Sequence, residues 1–426
     1  MSIDRRLRGL WLTVVILALT ACSRPPDRPP VVLAAEQATA TPTSTPSSTA
    51  VSLLPTWTPA ATAWAQLYPA ANAVRPLSPT RTPTVTPVFP TLTPIPPTRT
   101  PTPTLEPPAT ATRYVSLIPI LPPTDELGPS KLGLHVVRNN DAGIMEFVRR
   151  AQPAVMKAVD DLGFLAEVKS VSPNTITIGR LTVGNQDYVG NPEAAARRFV
   201  ADHLQTYFLN PAVDYWEGWN EPDPNVENMD WYSRFEQERV REMARHDLRT
   251  AIGGFATGVP EYHEFELFLG AVEVAQEYRG ILTLHEYGAP DMTYLYGGAL
   301  PGLPSYPDRG ALTFRYRWFY RDLLEPAGLV IPLVVSEAGI DGIIGNRPGP
   351  AGLGWMDFQS FWVEQGWGAD GAQAFINQLA WYDAGVRQDG YVIGFTVFTA
   401  GAFDQWEHYN VNSILPQLTG YVVGQR

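Results

Sequence analysis

Three short segments carry residues whose types and spacing could do chemistry. They are Trp216-Glu217-Gly218-Trp219-Asn220-Glu221-Pro222, Leu284-His285-Glu286-Tyr287-Gly288 and Val335-Ser336-Glu337-Ala338-Gly339. Each begins in an apolar run and ends in glutamate, glycine or proline, the way a buried strand delivers a polar side chain at its end. A pair of carboxylates such as Glu221 and Glu337 can divide one reaction between them. One group protonates a leaving oxygen while the other attacks an acetal carbon or activates water against it. A separation of about 5–5.5 Å permits direct attack, and about 6.5–9.5 Å leaves room for water. Glu217 and Glu286 are read as turned away from this pair, because neighbours on a strand point to opposite faces. Ser336 lacks the Gly-x-Ser-x-Gly context of a serine nucleophile. The six histidines show neither His-x-His nor His-Glu-x-x-His spacing, so no metal site is expected.

The elements that must position these residues alternate strand with helix. Strand candidates are Leu132–Val137, Ala154–Val159, Thr175–Leu181, Val213–Trp219, Thr250–Ala256, Gly280–His285, Ile331–Ser336 and Tyr391–Phe398. Helical stretches intervene at Ala142–Arg150, Asp161–Val168, Glu193–Phe208, Trp231–Leu248, Glu264–Tyr278, Thr313–Leu324 and Ala372–Gln388. In the fifth of these Phe265, Phe268, Leu269, Val272 and Ala275 keep a three- and four-residue apolar spacing. Eight strands in about 270 residues match the size of an α/β fold of the (β/α)8 TIM-barrel type. A doubly wound open sheet is the competitor, but Leu134-His135-Val136-Val137-Arg138-Asn139 stands where a Gly-rich nucleotide fingerprint would follow the first strand. No cofactor is therefore read from the sequence. In a barrel, strands four and seven place Glu221 and Glu337 across its mouth from each other, at the end where such folds do chemistry.

With the elements in place, the domain 124–426 resembles, over about residues 130–426, clan A glycoside hydrolases, retaining (β/α)8 enzymes that include cellulases, mannanases and xylosidases. Asn220-Glu221-Pro222 carries the resemblance most specifically. It implies that Glu221 is the acid/base, Glu337 the nucleophile, and Asn220 a ligand of the sugar 2-hydroxyl. By the same resemblance Tyr287 orients the nucleophile and His285 stands two residues before it. Two departures stand out. The clan carries an arginine near the end of strand two, where this chain offers Lys157, with Arg180 on strand three. It also ends strand eight with a tryptophan, where Val397-Phe398-Thr399 stands here. Phe398 and Trp406 are the candidates to replace that platform, and His135 could reach the barrel mouth from strand one or be a core residue. The segments Gly288–Gly310 and Gly339–Gly354 exceed ordinary loop lengths and could shape a substrate site, the second leading into Trp355. Trp318, Trp362 and Trp381 read as helix core, and His203, His246 and His263 as structural.

The rest of the chain reads as delivery. Arg5, Arg6 and Arg8 precede the apolar run Leu10–Leu19, which is too short to span a bilayer. It closes on Leu19-Thr20-Ala21-Cys22, which resembles a bacterial lipobox, so residues 1–22 are expected to be a lipoprotein signal and Cys22 the lipidation site. This is the chain's single cysteine, so no internal disulfide can form. Residues 23–123 hold 24 of the 41 prolines and repeat Thr-Pro, as in Thr82-Pro83-Thr84-Val85-Thr86-Pro87. Proline removes donors and fixes φ, so this stretch is expected to be a disordered, extended tether. Residues 124–426 keep 22 Lys plus Arg against 39 Asp plus Glu, a net −17. Such a body is a poor partner for nucleic acid. The membrane is then reached through the lipid anchor only, and the partner implied is a poly- or oligosaccharide. The expectation is an exported surface lipoprotein with a retaining glycosidase domain. A barrel that binds carbohydrate without cleaving it, or an envelope scaffold, remains the alternative.

Overall fold

The structure is a computed structural model that describes residues 127–426. The expected leader, Cys22 and the Thr/Pro-rich tether lie outside the described residues.

All eight expected strands form, and they close into one barrel: β1 (Leu132–Val136), β2 (Val155–Val159), β3 (Ile176–Arg180), β4 (Tyr215–Glu217), β5 (Thr250–Phe255), β6 (Ile281–Gly288), β7 (Leu333–Ile340) and β8 (Val392–Ala400). Every neighbour is parallel, and β8 pairs with β1 to shut the ring. The helices are α1 (Ala142–Ala151), α2 (Leu165–Val171), α3 (Pro192–Leu209), α4 (Val226–Ala244), α5 (Tyr262–Glu277), α6 (residues 316–327), α7 (Trp355–Glu364), α8 (Gly371–Val386) and α9 (Leu415–Gly424). In α6 the middle turn, Tyr320–Leu324, is π-helical. Asp141, Asn191, Asn225 and Asp370 each accept a backbone N–H at a helix start, which satisfies donors the first turn leaves unpaired.

Alternation along the strands sorts the core. Val155, Ile178, Tyr215, Ala251, Ile281 and Val334 form an apolar cluster of their own, the plug inside the barrel. The residues between them, such as Met156, Trp216, Ile252, Leu282 and Val335, belong to the larger core under the helices. Two residues further along, the plug positions of β2, β3 and β4 continue as Lys157, Arg180 and Glu217. The barrel interior thus changes from hydrocarbon to charge within one side-chain layer.

Two features fix the strands that matter most. Behind β4, Arg239 on α4 pairs with Glu236 at 2.7 Å and donates to the carbonyls of Trp216 at 3.2 Å and Ala251 at 2.8 Å. Tyr232 donates to Gly253 carbonyl at 2.9 Å from the same helix. These fully buried groups clasp β4 to β5, and removing one partner of such a pair costs about 3–5 kcal/mol. On β7 the register shifts: Leu284 pairs with Val335 but His285 pairs with Glu337, so Ser336 is an extra residue. A bulge of this kind re-aims the side chains that follow it.

Candidate active site

Glu337 sits where that bulge matters. Val334 faces the plug and Val335 the helices, so strict alternation would point Ser336 inward and Glu337 outward. With Ser336 as the added residue, both side chains face in, and both reach the same ammonium. Lys157 Nζ lies 3.4 Å from Ser336 Oγ and donates at 3.0 Å to Glu337 Oε1. Arg180 Nη1 donates to the same oxygen at 2.9 Å. The other oxygen, Oε2, accepts the Tyr287 hydroxyl at 2.8 Å. The sequence presented Lys157 and Arg180 as rivals for one role; the structure puts both on Glu337.

Glu221 follows β4 with φ +48, a left-handed backbone that turns the chain sharply off the strand. Its amide donates to the Gly254 carbonyl at 2.9 Å. Gly254 itself has φ +66, and a Cβ there would meet the Trp219 carbonyl at 2.9 Å, so glycine is what lets β5 approach this turn. His285 Nδ1 stands 2.9 Å from Glu221 Oε1 and 3.6 Å from Glu337 Oε2. Polar atoms of Glu221, His285 and Glu337 all lie within 4.8 Å of one another. The Glu221 side chain is 24% exposed against 6% for Glu337. One carboxyl therefore opens to solvent and the other is enclosed.

The charges follow from this packing. Burial opposes ionisation of Glu337, but His285, Lys157 and Arg180 outweigh it and hold the carboxyl well below the ordinary carboxylate range. Burial likewise opposes the charge on Glu217, yet Lys157, Arg180 and His285 bring it down to about 2. Tyr287 is pushed well above 10 by burial and then by the Glu337 charge, so it stays a donor. Burial holds His135 well below its usual range, and it is neutral. The trio of Glu221, His285 and Glu337 has the donor types for a cation, but Lys157 and Arg180 already place two fixed positive charges against Glu337 Oε1. That is a poor setting for a metal ion.

Asn220 accepts from Arg180 Nη1 through its side-chain oxygen, so one guanidinium ties Asn220 to Glu337. His135 Nδ1 lies 2.8 Å from Thr399 Oγ1, and its Nε2 is 3.5 Å from Glu337 Oε1, which places it beside the nucleophilic candidate as well as in the core. Phe398 packs 6.0 Å from the Tyr287 ring and 5.3 Å from the Trp406 ring, with Tyr409 at 5.4 Å. An aromatic wall thus stands next to the carboxylates.

Two expectations are corrected. Trp355 is not part of the site: it is 2% exposed, stacks on Phe375 at 5.2 Å and donates to the Asn410 carbonyl at 3.2 Å. It opens α7, and the helix turns its ring into the core. Glu217 is not turned away: it lies two residues beyond the plug residue Tyr215 and pairs with Lys157 at 2.8 Å. Even spacing from Glu221 was the available signal. Glu286 does point outward, accepting from Phe314 N, Tyr316 N and Tyr382 Oη at 2.6, 2.9 and 2.7 Å, and so anchors the segment after β6. Asp341 was missed altogether. It follows β7, accepts the Tyr409 hydroxyl at 3.0 Å, and is raised to about 6 by burial first, with Glu221 and Glu337 adding to the rise.

No family model and no curated protein matches the chain. Among solved structures it is similar to a glucosidase from Croceicoccus marinus, at 15% identity over 70% of this chain and 68% of that one, with a TM-score of 0.42. It is similar also to an endo-beta-1,4-glucanase from Xanthomonas axonopodis pv. citri carrying a triple mutation, at 11% identity, 69% and 99% coverage and a TM-score of 0.40. A hyperthermostable endo-1,4-beta-D-mannanase from Thermotoga petrophila RKU-1 follows at 11% identity, 68% and 99% coverage and a TM-score of 0.37. Likeness at this level says nothing about chemistry, which has to be argued from the residues.

Proposed function

We propose that residues 127–426 form a retaining glycosidase that cleaves O-glycosidic bonds of a poly- or oligosaccharide by double displacement. The observation that carries this reading is the pair Glu221 and Glu337, brought from β4 and β7 to one mouth with an oxygen of each within 4.8 Å. An approach that close suits direct attack rather than an interposed water. Glu337, ionised and enclosed, is the nucleophile. Glu221, the more exposed of the two, donates its proton to the leaving oxygen and later deprotonates the water that releases the sugar. Tyr287 and the two cations hold the nucleophile in one orientation. Arg180 has only donors, so it fixes the Asn220 oxygen toward itself and leaves the Asn220 amide N–H groups to meet a sugar hydroxyl. Phe398, with Trp406 beside it, offers the apolar face on which the C–H side of a sugar ring rests. An acidic body favours an uncharged glycan over a polyanionic one. In the same reading Cys22 carries the lipid, and the Thr/Pro-rich stretch holds the barrel away from the membrane of an exported surface protein.

The test is an intact-mass measurement on the full chain, wild type and Glu337→Gln, after incubation with a panel of activated 2-deoxy-2-fluoro glycosides. A glycosyl adduct on the wild type alone, mapped to Glu337, is the expected result, and it names the sugar. No adduct from any member of the panel, with glycan binding that survives Glu337→Gln, would replace the enzyme by a carbohydrate-binding barrel.

A further inference from the structure

Glu217 is a buried, ionised carboxylate that reaches no surface a substrate could touch; its side chain is 2% exposed. It lies below the nucleophile and shares both of its cations. Lys157 Nζ is 2.8 Å from Glu217 Oε2 and 3.0 Å from Glu337 Oε1, while Arg180 Nη1 is 3.7 Å from the first and 2.9 Å from the second. Two positive and two negative groups thus form a closed, neutral quartet.

The reaction proposed above unbalances it. An oxygen of Glu337 bonds to the anomeric carbon, the bond from that carbon to the leaving oxygen breaks with its electron pair, and Glu221 supplies the proton that neutralises the departing group. Glu337 is then an uncharged ester, and the quartet carries one net positive charge until water regenerates the carboxylate. We propose that Glu217 is a positioning residue, the resident counterion that keeps Lys157 and Arg180 in place during the interval when Glu337 is neutral. This assignment rests on the double-displacement reading. Without Glu217 the two cations would face a single carboxylate before the reaction and none after it, at a distance where unscreened like charges repel strongly.

Glu337→Gln copies the neutral state of the nucleophile, so the idea can be tested without turnover. Thermal unfolding of the full chain is measured at pH 7 for wild type, Glu217→Gln, Glu337→Gln and the double variant. The expected result is a melting-temperature loss from Glu217→Gln several degrees larger in the Glu337→Gln background than in the wild type. A double variant that fails to fold while both single variants fold is the same answer in stronger form. Losses that add to within about 1 °C would overturn the proposal.

A kinetic arm reads the reaction itself. Labelling of Glu337 by the reactive 2-fluoro glycoside should be at least tenfold slower in Glu217→Gln and partly restored in Glu217→Gln combined with Lys157→Met, which removes one charge of each sign. A purely structural role predicts that the combined variant is worse than either change alone. Wild-type protein that takes no label refutes the double-displacement reading and the intermediate with it. Normal wild-type labelling with additive melting temperatures refutes the counterion alone.

Discussion

Replacing Lys157 by methionine removes one ammonium from the barrel interior at nearly constant volume, and the structure sets the size and the pH course of the effect. Glu217 is held at about 2 against an ordinary 4.5, chiefly against the cost of burial by Lys157. At 1.36 kcal/mol per pH unit, that difference is about 3 kcal/mol of folding stability. Leaving a buried charge without its partner costs about 3–5 kcal/mol in general, so the two estimates agree. With an unfolding entropy of about 2.1 cal/mol/K per residue over the 300 described residues, the melting temperature should fall by roughly 5–8 °C at pH 7. The sign with pH is fixed as well. A carboxyl whose folded value is depressed stabilises the fold above its unfolded value and loses that contribution as pH falls through the folded one. The gap between wild type and Lys157→Met should therefore be constant from pH 7 to about 5 and shrink steadily from about 4.5 towards 2. Thermal unfolding followed by near-ultraviolet circular dichroism at pH 7, 5, 4 and 3 reads both quantities. A loss below about 1 kcal/mol at pH 7, or a gap at pH 3 as large as at pH 7, would refute the view of Lys157 as the cation that holds these carboxylates.

Two further outcomes follow from the geometry. Asp341 is raised to about 6, so its proton is bound more tightly in the folded chain and stability falls as pH rises from about 3.8 to 6; Asp341→Asn should be more stable than wild type by about 2–3 kcal/mol at pH 7.5, with no gain below pH 3.8, as measured by urea unfolding. Trp355→Ala should cost about 3–5 kcal/mol in the same assay as a core truncation, while KM for a cleaved glycoside stays within about twofold; a tenfold rise in KM with normal stability would return Trp355 to the substrate site.

The strands were legible because both faces of a parallel barrel strand are buried, which writes each one as a short apolar run between breakers. Their ends were less so. β6 and β7 run to Gly288 and Ile340, beyond the expected His285 and Ser336, because their ladder goes on past the carboxylate, from His285 with Glu337 to Gly288 with Ile340. β4, by contrast, keeps only Tyr215–Glu217 of the expected Val213–Trp219. The helices Trp355–Glu364 and Leu415–Gly424 went unrecognised, since apolar residues around most of each helix hide the periodicity that marks an amphipathic one. Within the site, Glu221, His285, Tyr287 and Glu337 were visible as strand-end residues. What could not be read was how the interior is neutralised. Lys157, Arg180 and Glu217 come from three strands, and only closure of the barrel shows that they share one oxygen or one ammonium. Asp341 stands four residues past Glu337, at the even spacing that alternation would have flagged had the strand been carried that far.

The extra residue on β7 also separates two changes that look alike in a sequence. Loss of Ser336 would leave Val335 facing the helices and bring Glu337 to the next, inward position by plain alternation, still opposite His285 and beside Lys157 and Arg180. What that deletion removes is the Ser336 hydroxyl next to the Lys157 ammonium. A slip that flattens the bulge with Ser336 retained is of another kind: Ser336 would take the place opposite His285, and Glu337 would turn toward the helices. In the enzyme proposed above, a shortened β7 thus keeps its nucleophile, whereas a full-length β7 that has lost its bulge keeps its barrel alone.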